Sequence, residues 1–394
     1  MLDVPHTTGN RKAQLADAAA ELFGQRGYHA VSVNDIACAA GITGPAVYRH
    51  FSSKQDVLAH VLITGLEVFG EVSSSALASG EAGRLFEAVA SLAVERRQIT
   101  ALWRWQGFHL GSEDQAAIRR AGARIIEGWS VALRSARPEV APEDADLLCW
   151  AALSVFGSIS VHHLSVPRKR FEHLLAWLAT SVFDYTGLPA PEPASNGAGS
   201  WRASGAASRR EELLSAATRL FRSRGYRAVS MEDIGASAGI AGPSIYRHFT
   251  SKADILVAAG YRMADRLAVD ASRALREAVD PADALDRLIQ SYVDTVLSSG
   301  NLMAVFASES ISLAERDARE LLRVQRSYVA EWVKLLLETA PSLGEREARI
   351  TVHAALTIIN DLTRTPRIAA RPGIAPELVG LAGTVLRAGA HWAP

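Results

Sequence analysis

Apolar positions recur at spacings of three and four along nearly the whole chain, and no stretch shows the alternation of a half-buried strand. The pattern predicts an all-α protein. Leu15, Ala18, Ala19, Leu22 and Phe23 fall on one helical face, and the same stripe returns as Leu213, Ala216, Ala217, Leu220 and Phe221. Gly27 and Gly225 follow where a helix C-terminus takes a positive φ. Ser32 with Asp35, and Ser230 with Asp233, have the spacing of a capping box opening a second helix of about two turns, which Gly41 and Gly239 end. After a short turn, Thr43 is placed to cap a third helix. Pro45 fits its first turn, where a missing N–H costs nothing. A further capping box, Ser53 with Asp56 and Ser251 with Asp254, predicts a fourth helix. Its positively polarised end would hold Lys54 or Lys252, a natural seat for phosphate.

These paired features belong to an internal repeat. Residues 11–58 align without a gap on residues 209–256, with about 27 of 48 positions identical. Farther on the copies drift, yet Trp129, Leu133 and Pro138 still match Trp332, Leu336 and Pro341. The predicted organisation is a first head at 10–58, helical regulatory region at 59–186, linker at 187–208, second head at 209–256 and second regulatory region at 257–394. The linker is rich in Pro, Gly, Ala and Ser and has no apolar period, although Trp201 within it is unexplained.

Two short helices joined by a Gly-containing turn and braced by a longer helix make a helix-turn-helix, whose second helix can enter a major groove. At these residues, "SVNDIACAAGITGPAVYRHFSSK" and "SMEDIGASAGIAGPSIYRHFTSK", the chain resembles the TetR family of transcriptional regulators. The resemblance implies phosphate contacts from Tyr48, His50 and Lys54 and from Tyr246, His248 and Lys252. It implies base-edge contacts from Thr43, Gly44, Pro45 and Ala46 in one head and from Gly242, Pro243 and Ser244 in the other. Ser32 and Ser230 complete the DNA-binding set at the helix starts. Ala241 replaces Thr43 in the second copy, removing a hydroxyl and its capping role. Gly-Pro pairs offer no bidentate fork, so base readout is expected to be modest and DNA shape to matter.

The regulatory regions are long enough for ligand-sensing domains, and the resemblance implies an inducer pocket in them. The candidates are Trp103, Trp105, Phe108, His109, Trp129, Phe156 and His162, with Phe306, Glu309 and Trp332 in the second half. An aromatic at helical spacing is more often core, and an occupant of such a pocket would be apolar or amphipathic, a small lipophilic effector. No cofactor and no metal site is expected, and the chain lacks P-loop, GxSxG and GxGxxG signatures, so it does not read as an enzyme.

Composition adds limits. Lys plus Arg and Asp plus Glu both number 42, giving zero net charge, so a nucleic-acid surface must be a local patch. The balance leaves a competing reading, a ligand-binding or protein-interaction scaffold whose heads no longer bind DNA. Cys38 and Cys149 are read as buried packing residues of a reducing, cytoplasmic compartment. No run is expected to approach the roughly 18 apolar residues of a membrane span.

A lone TetR-like unit needs a symmetric partner to present two recognition helices, and here the second copy can serve. Residues 117–137 and 144–164, with 327–337 and 345–362, are predicted to pair as a four-helix interface. The expected partner is a pseudo-palindromic double-stranded operator read by an intramolecular pseudo-dimer, a homodimer of chains being the alternative.

Overall fold

One compact unit of the chain ends at Asp184 and a second begins at Tyr185. The computed structural model describes residues 8–79, 82–105, 110–162, 164, 166–189, 208–226, 228–240, 242–309 and 315–393. Of residues 8–10, 82, 101, 103–105, 222, 242, 243, 300–309 and 315 it describes the backbone alone. The described residues contain helices and turns and no strand. Most of the predicted linker, with Trp201, lies outside them.

The first unit comprises α1 (Thr8–Arg26), α2 (Val33–Ala39), α3 (Gly44–Val47), α4 (Lys54–Ala78), α5 (Ala82–Glu95), α6 (Arg97–Trp105), α7 (Ser112–Ala136), α8 (Pro142–Gly157) and α9 (Arg168–Phe183). The second comprises α10 (Arg209–Arg224), α11 (Met231–Ser237), a 3-10 helix at Gly242–Arg247, α12 (Lys252–Arg276), α13 (Pro281–Glu309), α14 (Glu315–Thr339), α15 (Glu345–Arg364), α16 (Pro366–Ala369) and α17 (Ile374–Ala390).

Local chemistry sets the head elements. Leu15, Ala19, Leu22 and Phe23 are buried, as are Leu213, Ala216, Ala217 and Phe221, so the predicted stripes form the core-facing sides of α1 and α10. Gly27 and Gly225 end those helices at φ 78° and 81°, where a Cβ would be strained. α2 ends in a Schellman motif, with Gly41 at φ 67° and the Ile42 N–H donating to the Ala37 carbonyl at 2.9 Å. α11 repeats it through Gly239 and the Ile240 N–H on the Gly235 carbonyl.

The capping boxes of α2 and α11 form reciprocally. Ser32 Oγ accepts from the Asp35 N–H while Asp35 Oδ2 accepts from the Ser32 N–H at 2.7 Å, and Ser230 with Asp233 does the same. The third box differs from expectation. Ser53 and Ser251 do cap α4 and α12, but Asp56 and Asp254 reach one residue farther back, to the backbone N–H groups of Ser52 and Thr250. Thr43 occupies the N-cap position of α3 without a side-chain capping bond. Its replacement by Ala241 therefore removes a hydroxyl but no observed cap.

α4 runs unbroken from the first head deep into the regulatory region, and α12 does so in the second. Head and regulatory region thus share a rigid helix. α4 and the segment Pro142–Val161 are long and apolar enough to cross a membrane by length and composition, which corrects the expectation that no run would be. Most of α8 is buried, as a core helix requires. Cys149 is buried there, whereas Cys38 is exposed on α2, correcting its reading as a packing residue.

Candidate nucleic-acid interface

Each head places a short, irregular recognition segment between two firmly capped helices. In the first head Gly44, Pro45 and Ala46 form the start of α3, and the next exposed aromatic is Tyr48, with 59% of its surface open. His50 is half-buried. In the second head the backbone of Gly242 and Pro243 opens the 3-10 helix, followed by half-buried Ser244, then Tyr246 at 48% exposed and an exposed His248. The duplicated Tyr-Arg-His sequence therefore lies on accessible surface in both copies. Val47, Phe51, Ile245 and Phe249 are buried and hold each segment onto its head.

The paired lysines brace the heads. Lys54 Nζ donates to the Tyr28 and Val31 carbonyls, both at 2.8 Å, and lies 4.3 Å from the Tyr28 ring centroid. Lys252 Nζ donates to the Tyr226 carbonyl at 2.8 Å and lies over that ring at 4.8 Å. Each ammonium ties the first turn of α4 or α12 to the loop after α1 or α10. A further cation–π pair recurs, Lys12 over Phe51 and Arg210 over Phe249. Tyr28 and Tyr226 were not singled out from sequence. Their signal was identity between the copies at one constant offset.

Asn34 and Glu232 mark where the heads part. A Cβ on Gly44 would collide with Asn34 Oδ1, so the Asn34 amide lies against the start of α3. The equivalent Glu232 accepts a hydrogen bond from the Tyr246 hydroxyl at 3.2 Å. The carboxyls of Asp35 and Asp233 are held below the usual range, mainly by hydrogen bonds from Ser32 and Ser230 respectively, so both caps are ionised near neutral pH.

The regulatory candidates divide. Phe108 and His109 lie outside the described residues, as do the side chains of Trp103, Trp105, Phe306 and Glu309. Trp129 and Phe156 come together through Phe86, whose ring centroid is 5.6 Å from Trp129 and 6.1 Å from Phe156. The indole N–H groups of Trp129 and Trp332 are both buried with no hydrogen-bond partner among the described residues. Trp332 is equally buried, edge-on to Tyr292 at 5.9 Å, and the Tyr292 hydroxyl pairs with Asn360. His162 is buried beyond α8. Its Nδ1 accepts from the Leu164 N–H at 3.3 Å and faces half-buried Arg97 at 3.4 Å. Phe69, Phe86, Arg97, Tyr292 and Asn360 were missed, being ordinary positions in amphipathic patterns. Among the described residues no three His, Cys, Asp or Glu gather as a metal site.

A direct mechanical route joins these cores to the heads. α6 packs on α1 and α4 so closely that a Cβ on Gly24 would lie 2.8 Å from Gln98 Cβ, and one on Gly65 would lie 2.6 Å from Ile99 Cγ2. In the second unit the corresponding helix is α13, which contacts α10 and α12 and breaks helical geometry at Ser299. Arg266 of α12 donates to the hydroxyls of Ser298 and Ser299 at that kink.

Comparison with known proteins agrees with this geometry. The family described as bacterial regulatory proteins, tetR family, matches residues 15–61 and 213–259. The transcriptional activator FasR of Mycolicibacterium smegmatis is 35% identical over 88 residues, 22% of this chain and 40% of its own length. The chain thus spans well under two thirds of that relative. The transcriptional repressor KstR2 of Rhodococcus jostii is 27% identical over 170 residues, 43% of this chain and 83% of its length. The solved structure of the ketosteroid transcriptional regulator KstR2 of Mycobacterium tuberculosis is 24% identical, with a TM-score of 0.39, covering 46% of this chain and 94% of that one. Two matches to one family, at the same offset as the internal repeat, place a tetR-family regulatory-protein head in each half of the chain.

Proposed function

We propose that the chain is a DNA-binding transcriptional regulator with two recognition heads, a repressor released from its operator by a small lipophilic effector. It is a regulator rather than an enzyme. The observation carrying this reading is the doubled exposed Tyr-Arg pair, followed by a half-buried His50 and an exposed His248, on a helix-turn-helix whose caps and braces recur in both copies. Phosphate contacts from Tyr48, His50, Tyr246 and His248 would set register on the duplex, while Thr43, Pro45, Ala46, Pro243 and Ser244 would meet base edges. Lys54 and Lys252, held on backbone carbonyls, would act first by fixing those segments and second through their charge.

The seating of α6 on α1 and α4 supports effector control. A ligand that wedges α6 away from Gly24 and Gly65 would move the first head, provided it binds the DNA-free arrangement better. Shifting the population from mostly bound to mostly free needs roughly 5.5 kcal/mol of such preference. The Trp129 indole N–H, buried without a hydrogen-bond partner among the described residues, favours an effector that carries an acceptor, such as a carbonyl, within an apolar body.

A gel-shift titration with the upstream region of the chain's own gene tests the reading. Binding that weakens steeply with salt supports it. No binding at low salt would overturn it in favour of a scaffold without DNA contact. For the assembly we favour an intramolecular pseudo-dimer on a pseudo-palindrome, because fusion makes the effective concentration of the second copy high. Light scattering near the chain mass of 42.2 kDa supports that assembly, and a stable doubled mass supports a four-headed dimer.

A further inference from the structure

The two heads share their caps, braces and exposed tyrosine, and they differ in charge at one place on the recognition face. Position 34 carries a neutral amide lying against α3, while position 232 carries a carboxylate bonded to the tyrosine that should meet phosphate. The capping of α11 does not use Glu232, because Asp233 alone supplies the reciprocal bond to Ser230. Glu232 is therefore an extra, exposed, acceptor-only charge beside Tyr246. The surroundings pull the other way. Residues 209–256 hold eight Lys or Arg against five Asp or Glu, whereas residues 11–58 hold five against four. Generic attraction to a polyanion is thus stronger in the second head, and Glu232 opposes it at the contact itself.

Resting on the DNA-binding reading, we propose that Glu232 sets the affinity threshold of the second head, a brake on phosphate-driven binding that leaves this head engaged, at a given concentration, only where base contacts compensate. When DNA approaches, the Tyr246 hydroxyl must either keep its bond to Glu232, leaving a carboxylate near phosphates, or exchange it for a phosphate oxygen. Both routes cost affinity, and the cost is the same on every sequence. The affinity ratio between matched and unmatched sites is unchanged, but the threshold moves: at a concentration where a neutral residue would let the head occupy unmatched DNA, only a half-site that adds base contacts is occupied. The first head, with Asn34, has no such brake. The two heads are then a permissive and a selective reader, and the operator they read is asymmetric in the stringency of its halves.

The full-length chain tests this with two duplexes of about 30 base pairs, one selected by the protein from a random pool and one a scramble of it. Glu232→Gln keeps the side-chain size and can still accept from Tyr246 but removes the charge. It should tighten binding to the scrambled duplex about tenfold and steepen the salt dependence by about one charge. Asn34→Glu should weaken that binding by a comparable factor. Unchanged melting temperatures for both variants separate a surface effect from misfolding. If Glu232→Gln leaves scrambled-duplex affinity unchanged or weaker while the parent chain still binds the selected duplex, the inference is overturned and the DNA-binding reading stands. If the parent chain binds neither duplex at low salt, both fall together.

Discussion

The two heads are built to one plan and end in different exposed segments. Both carry the reciprocal serine–aspartate box, the Schellman turn and the lysine-on-tyrosine brace. The recognition segment, however, is a turn of α-helix in the first and 3-10 helix in the second, with Asn34 facing one and Glu232 the other. The regulatory cores diverge further. The first packs Trp129 among phenylalanines, whereas the second packs Trp332 against two tyrosines, one paired with Asn360. The difference teaches that the scaffold presenting a surface is held by backbone bonds that recur in both copies, while the surface and the core behind it differ by single side chains.

The tryptophans at matched positions give the largest expected effect. Trp129→Ala should remove about 3–5 kcal/mol from the first unit and Trp332→Ala a like amount from the second. Calorimetry should show each variant lowering one transition and sparing the other. A single transition moved equally by both would deny the units independent cores.

Acid should separate the units through His353, whose counterpart in the first half is Trp150. Burial pushes the imidazole down to about 4, with the Arg349 charge adding to the shift. The unfolded chain binds the proton near its ordinary pKa of about 6.5, so stability falls as pH drops from there towards 4 and levels off below. The loss is on the order of 3 kcal/mol in the second unit. Denaturant melts across that window check it, and His353→Gln should flatten the slope.

Lys54→Ala sharpens the comparison between brace and phosphate contact. Two carbonyl bonds to an ammonium are lost, so the first head should lose about 1.5–3 kcal/mol of stability as well as DNA affinity. Affinity lost with an unchanged melt would return the residue to a pure phosphate role. The smallest effect is capping: Ser32→Ala and Ser230→Ala should each cost about 1 kcal/mol, and a clear inequality would show that only one head depends on its box.

Much of this was legible in the chain. The stripes, the positive-φ glycines and the boxes of α2 and α11 are local patterns whose bonds close within a few residues, so spacing alone defines them. The third box was misplaced by one residue because serine-serine and threonine-serine pairs each offer two candidate hydroxyls, and which backbone N–H the aspartate reaches is decided by the path of the loop. The lysine braces close over more than twenty residues and could not be read from spacing. Phe86 and Tyr292 look like any other core position until tertiary packing sets them beside Trp129 and Trp332. Asn34 and Glu232 carry no signal in the sequence beyond a difference within a helix's first turn, since only the fold brings that turn against the recognition segment.

The central claim is two DNA-reading heads in one chain, and footprinting on a duplex selected from a random pool tests it most directly. The account predicts two protected half-sites about one helical turn, roughly 35 Å, apart. Tyr48→Ala should lift protection from one and Tyr246→Ala from the other. Protection of a single site that only one of the two substitutions abolishes, or none at all, would contradict it.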